Sequence, residues 1–406
     1  MAAIFRSLRR SLKSNSRSSN ERGVMNPNMG KTRLAPRKRS MKLNALFAIA
    51  VLLAASNLFA QDFASFPQYV PEEQVAGTLT VWGADGMVNL HKLWEDGFHK
   101  FQPNIRFDDH LYSTATGIGG LYAGHGDLAY MGRDIWFIEG LGFSKTFGYD
   151  PTRIVAATGA YDVEGKTFPM IVFVHKDNPL KHLTLRQLDA IFGTERKLGA
   201  AKNIRTWGDL GLGGEWADKP IHLYAYGNNS GFGIFFSDAT MGGSTLCNCD
   251  IHQYDNINDA KGKIITQAGR QIIDALAADK YGLAYSGIRY ATQDVRPVAI
   301  AVREGTPYVE PTRENLINRT YPLLRDIPIY INRAPSKPIE PKVREFLAYI
   351  LSREGQQAIS REGDYLPSGS RASQRDSDTQ SHIGASCVHW RSWQALRFGC
   401  WGANTA

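Results

Sequence analysis

Cysteines and long apolar runs are both scarce in this 406-residue sequence. Of its four cysteines, Cys247 and Cys249 are separated by one residue, too close for an easy mutual bridge, and no second pair completes a zinc site. The apolar run from Ala45 to Ala55 has eleven residues, whereas a helix needs roughly 20 to cross a bilayer. We therefore expect free cysteines and no stable insertion into a membrane.

Motifs typical of enzymes are also missing. The ten histidines include no His-Glu-x-x-His, and the stretch 227–231 does not match Gly-x-Ser-x-Gly because Asn229 occupies the third position, where the motif has serine. A secreted hydrolase using Ser230 would need a nearby base, and the sequence signals none. We therefore expect a protein that is not an enzyme, with no metal, no cofactor and no nucleic-acid partner.

Positive charge is concentrated in one part of the chain. The formal net charge is +8, but residues 1–40 hold eleven basic residues and one acid, Glu21. Lys42 is the next basic residue, which leaves 35 basic and 38 acidic residues in 61–406. Bulk charge in that part cannot attract an anion. Any anion site must therefore be built from local backbone N–H groups, hydroxyls and at most one arginine.

The segment 41–60 has the layout of a secretory signal: Met41-Lys42, then the apolar run, then Leu58-Phe59-Ala60. We predict cleavage after Ala60 and a periplasmic protein, which mass spectrometry of the exported chain would test. A buried or membrane-spanning helix is the weaker alternative for this segment. No cysteine directly follows the cleavage region, so a lipid anchor has no attachment residue there. The polar composition of 1–40 and the loss of periodicity in 368–406 predict a disordered prefix and tail.

Between these segments, strands and helices alternate. Thr78 to Trp82 reads as a strand followed by a helix, and 168–175 is a strong strand signal. Thr184 and Gln187 form a capping box, and Pro341 opens a long apolar-faced helix. This alternation predicts an α/β fold with helices flanking the sheets.

Three loops, 83–87, 113–117 and 227–232, each follow a strand and precede a helix. They consist mainly of small or polar residues, which leave N–H groups and hydroxyls free to face a ligand. Helix N-termini add partial positive charge, so three such loops in one place would form an anion pocket. Each loop taken alone is more simply an ordinary turn.

The order of these motifs resembles the periplasmic phosphate-binding proteins of phosphate ABC transporters, in the type II periplasmic-binding-protein superfamily. The resemblance covers about 77–367. It rests on Gly77 to Gly86, Ser113 to Ile118, Gly126 to Arg133, Ile171 to Leu180 with Leu183 to Gly193, Ser230-Gly231, and Tyr281 to Tyr285. It implies two lobes, each a mixed sheet flanked by helices: 77–170 plus 288–366, and 171–287, joined by crossing strands near 171–176 and 283–291.

The resemblance also implies a ligand site between the lobes, formed by Ala84, Asp85, Gly86, Ser113, Thr114, Gly132, Arg133, Asn229, Ser230 and Gly231. Tyr226 stands where the family commonly has arginine, and Phe232 where it has threonine. Arg133 could supply the missing charge or could form a salt bridge with Asp134 or Glu139. Asp85 could accept the ligand's proton or cap a helix.

The expected function is capture of phosphate and its delivery to an ABC-transporter permease by a monomer. The same fold could instead bind another oxyanion, or a phosphorylated or organic solute that would suit Tyr226 and Phe232. In either case the lobes would close on the ligand through contacts made only in the closed state.

Overall fold

The computed structural model describes residues 63–368. The predicted prefix 1–40 and signal 41–60 lie outside this range. Of the predicted tail 368–406, all residues except Ser368 also lie outside it. Ser368, the first residue of that prediction, is buried, and its N–H and hydroxyl lie 2.9 and 3.3 Å from Oε1 of Gln356. The folded part therefore includes Ser368. Within 63–368, every helix is too short or too polar to cross a membrane.

The strands are numbered β1 to β15 along the chain, and the last two join the same sheet as the first four. The first four are β1 Ala76–Gly83, β2 Asn104–His110, β3 Leu128–Tyr130 and β4 Thr152–Thr158. The next nine are β5 Ile171–His175, β6 His182–Thr184, β7 His222–Tyr226, β8 Ile251–Tyr254, β9 Ile257–Asn258, β10 Ile264–Thr266, β11 Gly282–Ser286, β12 Val295–Pro297 and β13 Ala299–Ala301. The last two are β14 Asp326–Ile331 and β15 Leu366–Pro367.

The α-helices of the described range lie mostly between these strands. They are Val88–Phe98, Thr114–Tyr122, Phe137–Phe147, Leu185–Phe192, Gly231–Thr240, Ala268–Ala277, Arg313–Ile317, Pro341–Leu351 and Arg353–Glu362. Local sequence explains several of the helix starts. Thr184 and Gln187 form the predicted capping box, and Pro341 occupies the first turn of its helix, where its missing N–H costs nothing.

Two mixed sheets form the centres of two lobes. The first has the order β15-β4-β14-β3-β1-β2. In it, β1 runs parallel to both β2 and β3, whereas β14 runs antiparallel to both β3 and β4. The second has the order β12-β5-β11-β7-β8, in which β11 runs parallel to β7 and antiparallel to β5. The predicted two-lobed α/β fold with mixed sheets is confirmed.

Each sheet packs against its covering helices in its own hydrophobic core, and the first sheet has a smaller second cluster on its other face. In the first lobe, Trp94 and Phe346 from two helices pack with Val81 of β1. In the second, Ile191 and Ile272 from two helices pack with Leu283 of β11. Burial of such large apolar side chains stabilises each by about 1.5–3 kcal/mol.

The chain returns to the first lobe later than the sequence predicted. Residues 288–366 were assigned to the first lobe, but β12 pairs with β5 and β13 pairs with β6. Val295, Val298 and Ile300 are buried in the core of the second lobe, which explains the pairing. The strands of the second lobe therefore extend to residue 301.

The crossings between lobes are also displaced from the predicted positions. β5 and β11 pair with each other inside the second sheet, so 171–176 and 283–291 are not the crossing strands. The chain instead passes between the sheets after β4 and before β14. The N–H of Met170 donates to the carbonyl of Leu323 at 3.0 Å, and the N–H of Gly159 donates to that of Arg325 at 2.8 Å. We refer to 159–170 and 321–325 as the hinge segments.

Candidate functional site

The first predicted loop begins where β1 ends. The N–H of Ala84 donates to the carbonyl of Tyr130 at 2.9 Å, which holds the loop beside the end of β3. Oδ1 of Asp85 accepts the N–H of Gly86 at 3.0 Å, so this carboxylate closes its own turn and does not cap the following helix. Nζ of Lys166, from the first hinge segment, donates to the carbonyl of Gly86 at 2.6 Å.

The second predicted loop lies against the first. The N–H of Ser113 donates to the carbonyl of Gly83 at 2.9 Å, and Oγ of Ser113 caps the helix by accepting the N–H of Ala115 at 3.3 Å. Thr114 extends the contact, since its Oγ1 accepts the N–H of Gly132 at 3.2 Å. Ala84, Ser113, Thr114 and Gly132 therefore lie close together beyond the ends of β1 and β3.

The third predicted loop belongs to the second lobe and follows β7. Oγ of Ser230 accepts the N–H of Gly233 at 3.0 Å, which makes Ser230 the N-cap of helix Gly231–Thr240. Asn229 is exposed, and Ser230 and Gly231 are half-buried. The first N–H groups of this helix form part of its positively polarised end, where anions are stabilised.

Arg133 links the third loop to the first lobe. Its Cδ lies 3.8 Å from the position that a Cβ on Gly231 would occupy. The guanidinium donates to both carboxylate oxygens of Glu139 at 2.7 and 2.8 Å and lies 3.8 Å from the ring centroid of Trp136. Arg133 was predicted either to supply charge to the ligand or to form a salt bridge. The structure shows the salt bridge, with Glu139. The pair is largely shielded from solvent, since the Arg133 side chain is 12% exposed.

Tyr226 and Phe232 do not present a free aromatic surface. Tyr226 is buried, and its hydroxyl lies 3.3 Å from Oγ of Ser286. Phe232 stacks on Phe168 with ring centroids 4.6 Å apart and lies 4.8 Å from the Tyr226 ring. Burial raises the pKa of the Tyr226 hydroxyl well above its usual value. These rings therefore serve mainly as core, which removes the observation that favoured an organic solute.

Arg325 is a residue that the sequence analysis missed. It lies at the end of the second hinge segment, is 5% exposed, and has its guanidinium carbon 5.0 and 5.1 Å from the ring centroids of Phe232 and Phe235. Burial lowers the pKa of this guanidinium to about 10, with the field of Arg133 acting in the same direction and that of Asp134 opposing it. No motif in the local sequence Leu323-Leu324-Arg325-Asp326 indicates this position; only its neighbourhood in the fold does.

A group of potential metal ligands occurs elsewhere in the first lobe. Ligand atoms of His91, Glu95 and Asp109 lie within 4.8 Å of one another. All three are already engaged: the His91 ring nitrogens lie 3.0 and 2.9 Å from the Tyr130 hydroxyl and from Asp109, and Lys92 bonds to Glu95 at 3.0 Å. These contacts describe a satisfied polar network that connects a helix to the first sheet.

Comparison with known proteins places these features in a family. The model of the PBP superfamily domain matches residues 168–354. The phosphate-binding protein PstS of Pseudomonas aeruginosa is 35% identical over 332 residues, which cover 80% of this chain and 95% of that protein. Protein SphX of Synechococcus elongatus is 25% identical over 336 residues, covering 81% and 87% of the two chains.

Two solved structures also resemble this chain. PstS from Borrelia burgdorferi matches with a TM-score of 0.46 and 16% identity, over 73% of this chain and 99% of that one. A possible phosphate-binding protein from Planctomyces limnophilus matches with a TM-score of 0.44 and 19% identity, over 77% and 100%. Because its similarity to the Pseudomonas protein extends over most of both sequences, the chain belongs to the PstS family of the periplasmic-binding-protein superfamily.

Proposed function

We propose that this protein captures phosphate outside the cytoplasm and delivers it to an ABC-transporter permease. The observation that carries the proposal is the meeting of loops from both lobes around Arg133 and Gly231. The relative from Pseudomonas aeruginosa, whose name describes a phosphate-binding protein, supports phosphate as the first anion to test. Export through the signal at 41–60, a monomeric state and the absence of catalysis belong to the same proposal.

The proposed ligand contacts come from two kinds of group. Backbone N–H groups are supplied by Asp85, Asn229 and Gly231. The N–H groups of Ala84, Gly86 and Gly132 lie in the same loops but already donate within the protein. Side-chain donors are supplied by Ser113, Thr114, Ser230 and Arg133. A phosphate oxygen can accept several such bonds at once, and bonds to a charged acceptor contribute about 1.5–3 kcal/mol each.

Closure of the lobes would follow from the position of these groups on both sides of the hinge segments. An anion held by the first lobe alone lacks the N–H groups of helix Gly231–Thr240. The additional bonds form only when the lobes approach, so the ligand stabilises the closed state by its higher affinity for it.

Calorimetric titration of the exported protein with phosphate, sulfate and molybdate tests this proposal. We expect saturable binding of phosphate at one site and weaker binding of sulfate. Binding of sulfate or molybdate in preference to phosphate would reassign the anion. Absence of binding for all three would overturn the proposed function.

A further inference from the structure

The buried guanidinium of Arg325 is unusual because its charge has no direct partner within residues 63–368. Among residues 63–368, no carboxylate lies within ion-pair distance of this guanidinium and no side-chain hydrogen bond from it is present. The nearby rings of Phe232 and Phe235 offer cation–π contacts, which compensate only part of the lost hydration. Burying a cation in this way is costly unless a partner binds there.

The charged groups around Arg325 are already paired with one another. Arg133 pairs with Glu139, and Arg153 bridges Asp134 and Asp326 at 2.6 and 2.8 Å. A second arginine, Arg319, also pairs with Asp326, at 2.7 Å. Four arginines and three carboxylates thus occupy this region. The positive charge left over is that of Arg325.

This remaining charge lies beside the proposed ligand loops. Arg325 contacts rings in the first two turns of helix Gly231–Thr240, whose N-cap is Ser230. The field of Arg133, which itself lies against Gly231, also acts on Arg325. The N-terminus of the helix adds partial positive charge on the same side. These features together form a position where an anion is stabilised and a further cation is not.

We propose that Arg325 is the residue that neutralises the bound oxyanion, by presenting its N–H fork to two ligand oxygens. This rests on the proposed function and specifies its ligand as a dianion with two adjacent unprotonated oxygens. The hinge location allows Arg325 to reach the ligand without belonging to any of the three loops. It also replaces the arginine that the family commonly has at the position of Tyr226.

The inference predicts that Arg325 increases affinity while it decreases stability. Replacing it with methionine removes an unpaired buried charge and keeps a side chain of similar length. We expect the melting temperature of the ligand-free Arg325→Met protein to be unchanged or higher. Its dissociation constant for phosphate should rise about 30-fold or more, because a buried charged contact is lost. Arg325→Lys keeps the charge but loses the fork and should fall between the two.

Arg319→Met is the matched control, since it removes one positive charge from the same region. Arg319 is paired with Asp326 and also donates to Oγ1 of Thr158 at 3.1 Å, so its loss should lower the melting temperature. We expect its phosphate affinity to change only a few-fold. Arg325→Met should therefore reduce affinity without reducing stability, whereas Arg319→Met should reduce stability with little change in affinity.

The titrations use the exported protein with inorganic phosphate, and circular dichroism confirms folding. Wild-type affinity retained in Arg325→Met, or in Arg325→Lys if the first variant does not fold, overturns the role of Arg325 alone. A wild-type protein that binds no oxyanion overturns the proposed function as well. A lower melting temperature together with unchanged affinity would show that Arg325 acts only in the packing of the hinge.

Discussion

Oγ of Ser230 accepts the N–H of Gly233 at 3.0 Å. The same hydroxyl is a proposed ligand donor, so Ser230 has both a structural and a binding role. The Ser230→Ala protein should lose about 1 kcal/mol of stability as a helix cap is removed. Its affinity for phosphate should also fall, by roughly 10- to 150-fold, when one hydrogen bond to a charged ligand is lost.

Thermal melting and phosphate titration separate these two effects. Thr312→Ala is a suitable control, because Thr312 caps helix Arg313–Ile317 by accepting the N–H of Asn315 at 3.2 Å. It should reduce stability without reducing affinity. Equal phosphate affinity in Ser230→Ala and wild type would remove Ser230 from the site.

The hydroxyl of Tyr226 should matter for folding and not for binding. Its partner is Oγ of Ser286 at 3.3 Å, in the core of the second lobe. Tyr226→Phe should lower the free energy of unfolding by about 0.5–1.5 kcal/mol and leave phosphate affinity unchanged. In a double-mutant cycle with Ser286→Ala, the combined loss should be smaller than the sum. A marked loss of affinity in Tyr226→Phe would instead place this hydroxyl on the ligand.

Glu139 should compete with the ligand for Arg133, since it holds that guanidinium through two hydrogen bonds. Glu139→Gln keeps an acceptor for the N–H of Trp136, which Glu139 now binds at 2.7 Å, but removes the negative charge. We expect phosphate to bind roughly fivefold more tightly, corresponding to about 1 kcal/mol for one weakened ion pair.

An exposed pair provides the control for this change. Glu304 pairs with Arg186 at 2.7 Å on the second lobe, and Glu304→Gln should leave phosphate affinity as in wild type. Weaker binding in Glu139→Gln would show that the carboxylate holds Arg133 in its binding position and would contradict competition.

The pH dependence of binding should reflect Arg325. Burial lowers the pKa of its guanidinium to about 10, so the free protein holds this positive charge below that pH and loses it above. Phosphate affinity should therefore decline as the pH rises through about 10. Bound phosphate favours the charged form, which should move the decline to higher pH at saturating ligand.

Calorimetry between neutral pH and pH 10.5 would measure this effect at intervals of about half a unit. The Arg325→Met protein lacks the titrating group and should show no such decline. The same decline in both proteins would assign it to another group. Tyr226, whose pKa is raised by burial, should remain neutral throughout this range.

Local sequence patterns were sufficient to predict features that depend on neighbouring residues. The capping box at Thr184 and Gln187, the helix opened by Pro341 and the strand before Ser230 all follow from such patterns. Helix Arg353–Glu362 was not predicted, because its buried face includes Gly355 and Gln356, which give a weak apolar signal.

Features that depend on the return path of the chain were beyond these patterns. Arg325 is adjacent to Phe232 only because the second hinge segment passes the start of helix Gly231–Thr240. Tyr226 was considered as a ligand surface, but the end of β7 directs its side chain into the core. In both cases a single sequence gives the residue type without its spatial neighbours.

The pairing of the two hinge segments gives the molecule an internal reporter of bending. The amides of Gly159 and Met170 are bonded across these segments, whereas amides in β1 and β11 are bonded within one lobe. A bending motion that leaves both lobes folded changes the backbone mainly in the hinge segments. We therefore expect it to weaken the bonds of Gly159 and Met170 and to leave those of the strands intact. Hydrogen exchange at these two amides, compared with the strand interiors, would therefore record how often the empty protein opens and closes in solution.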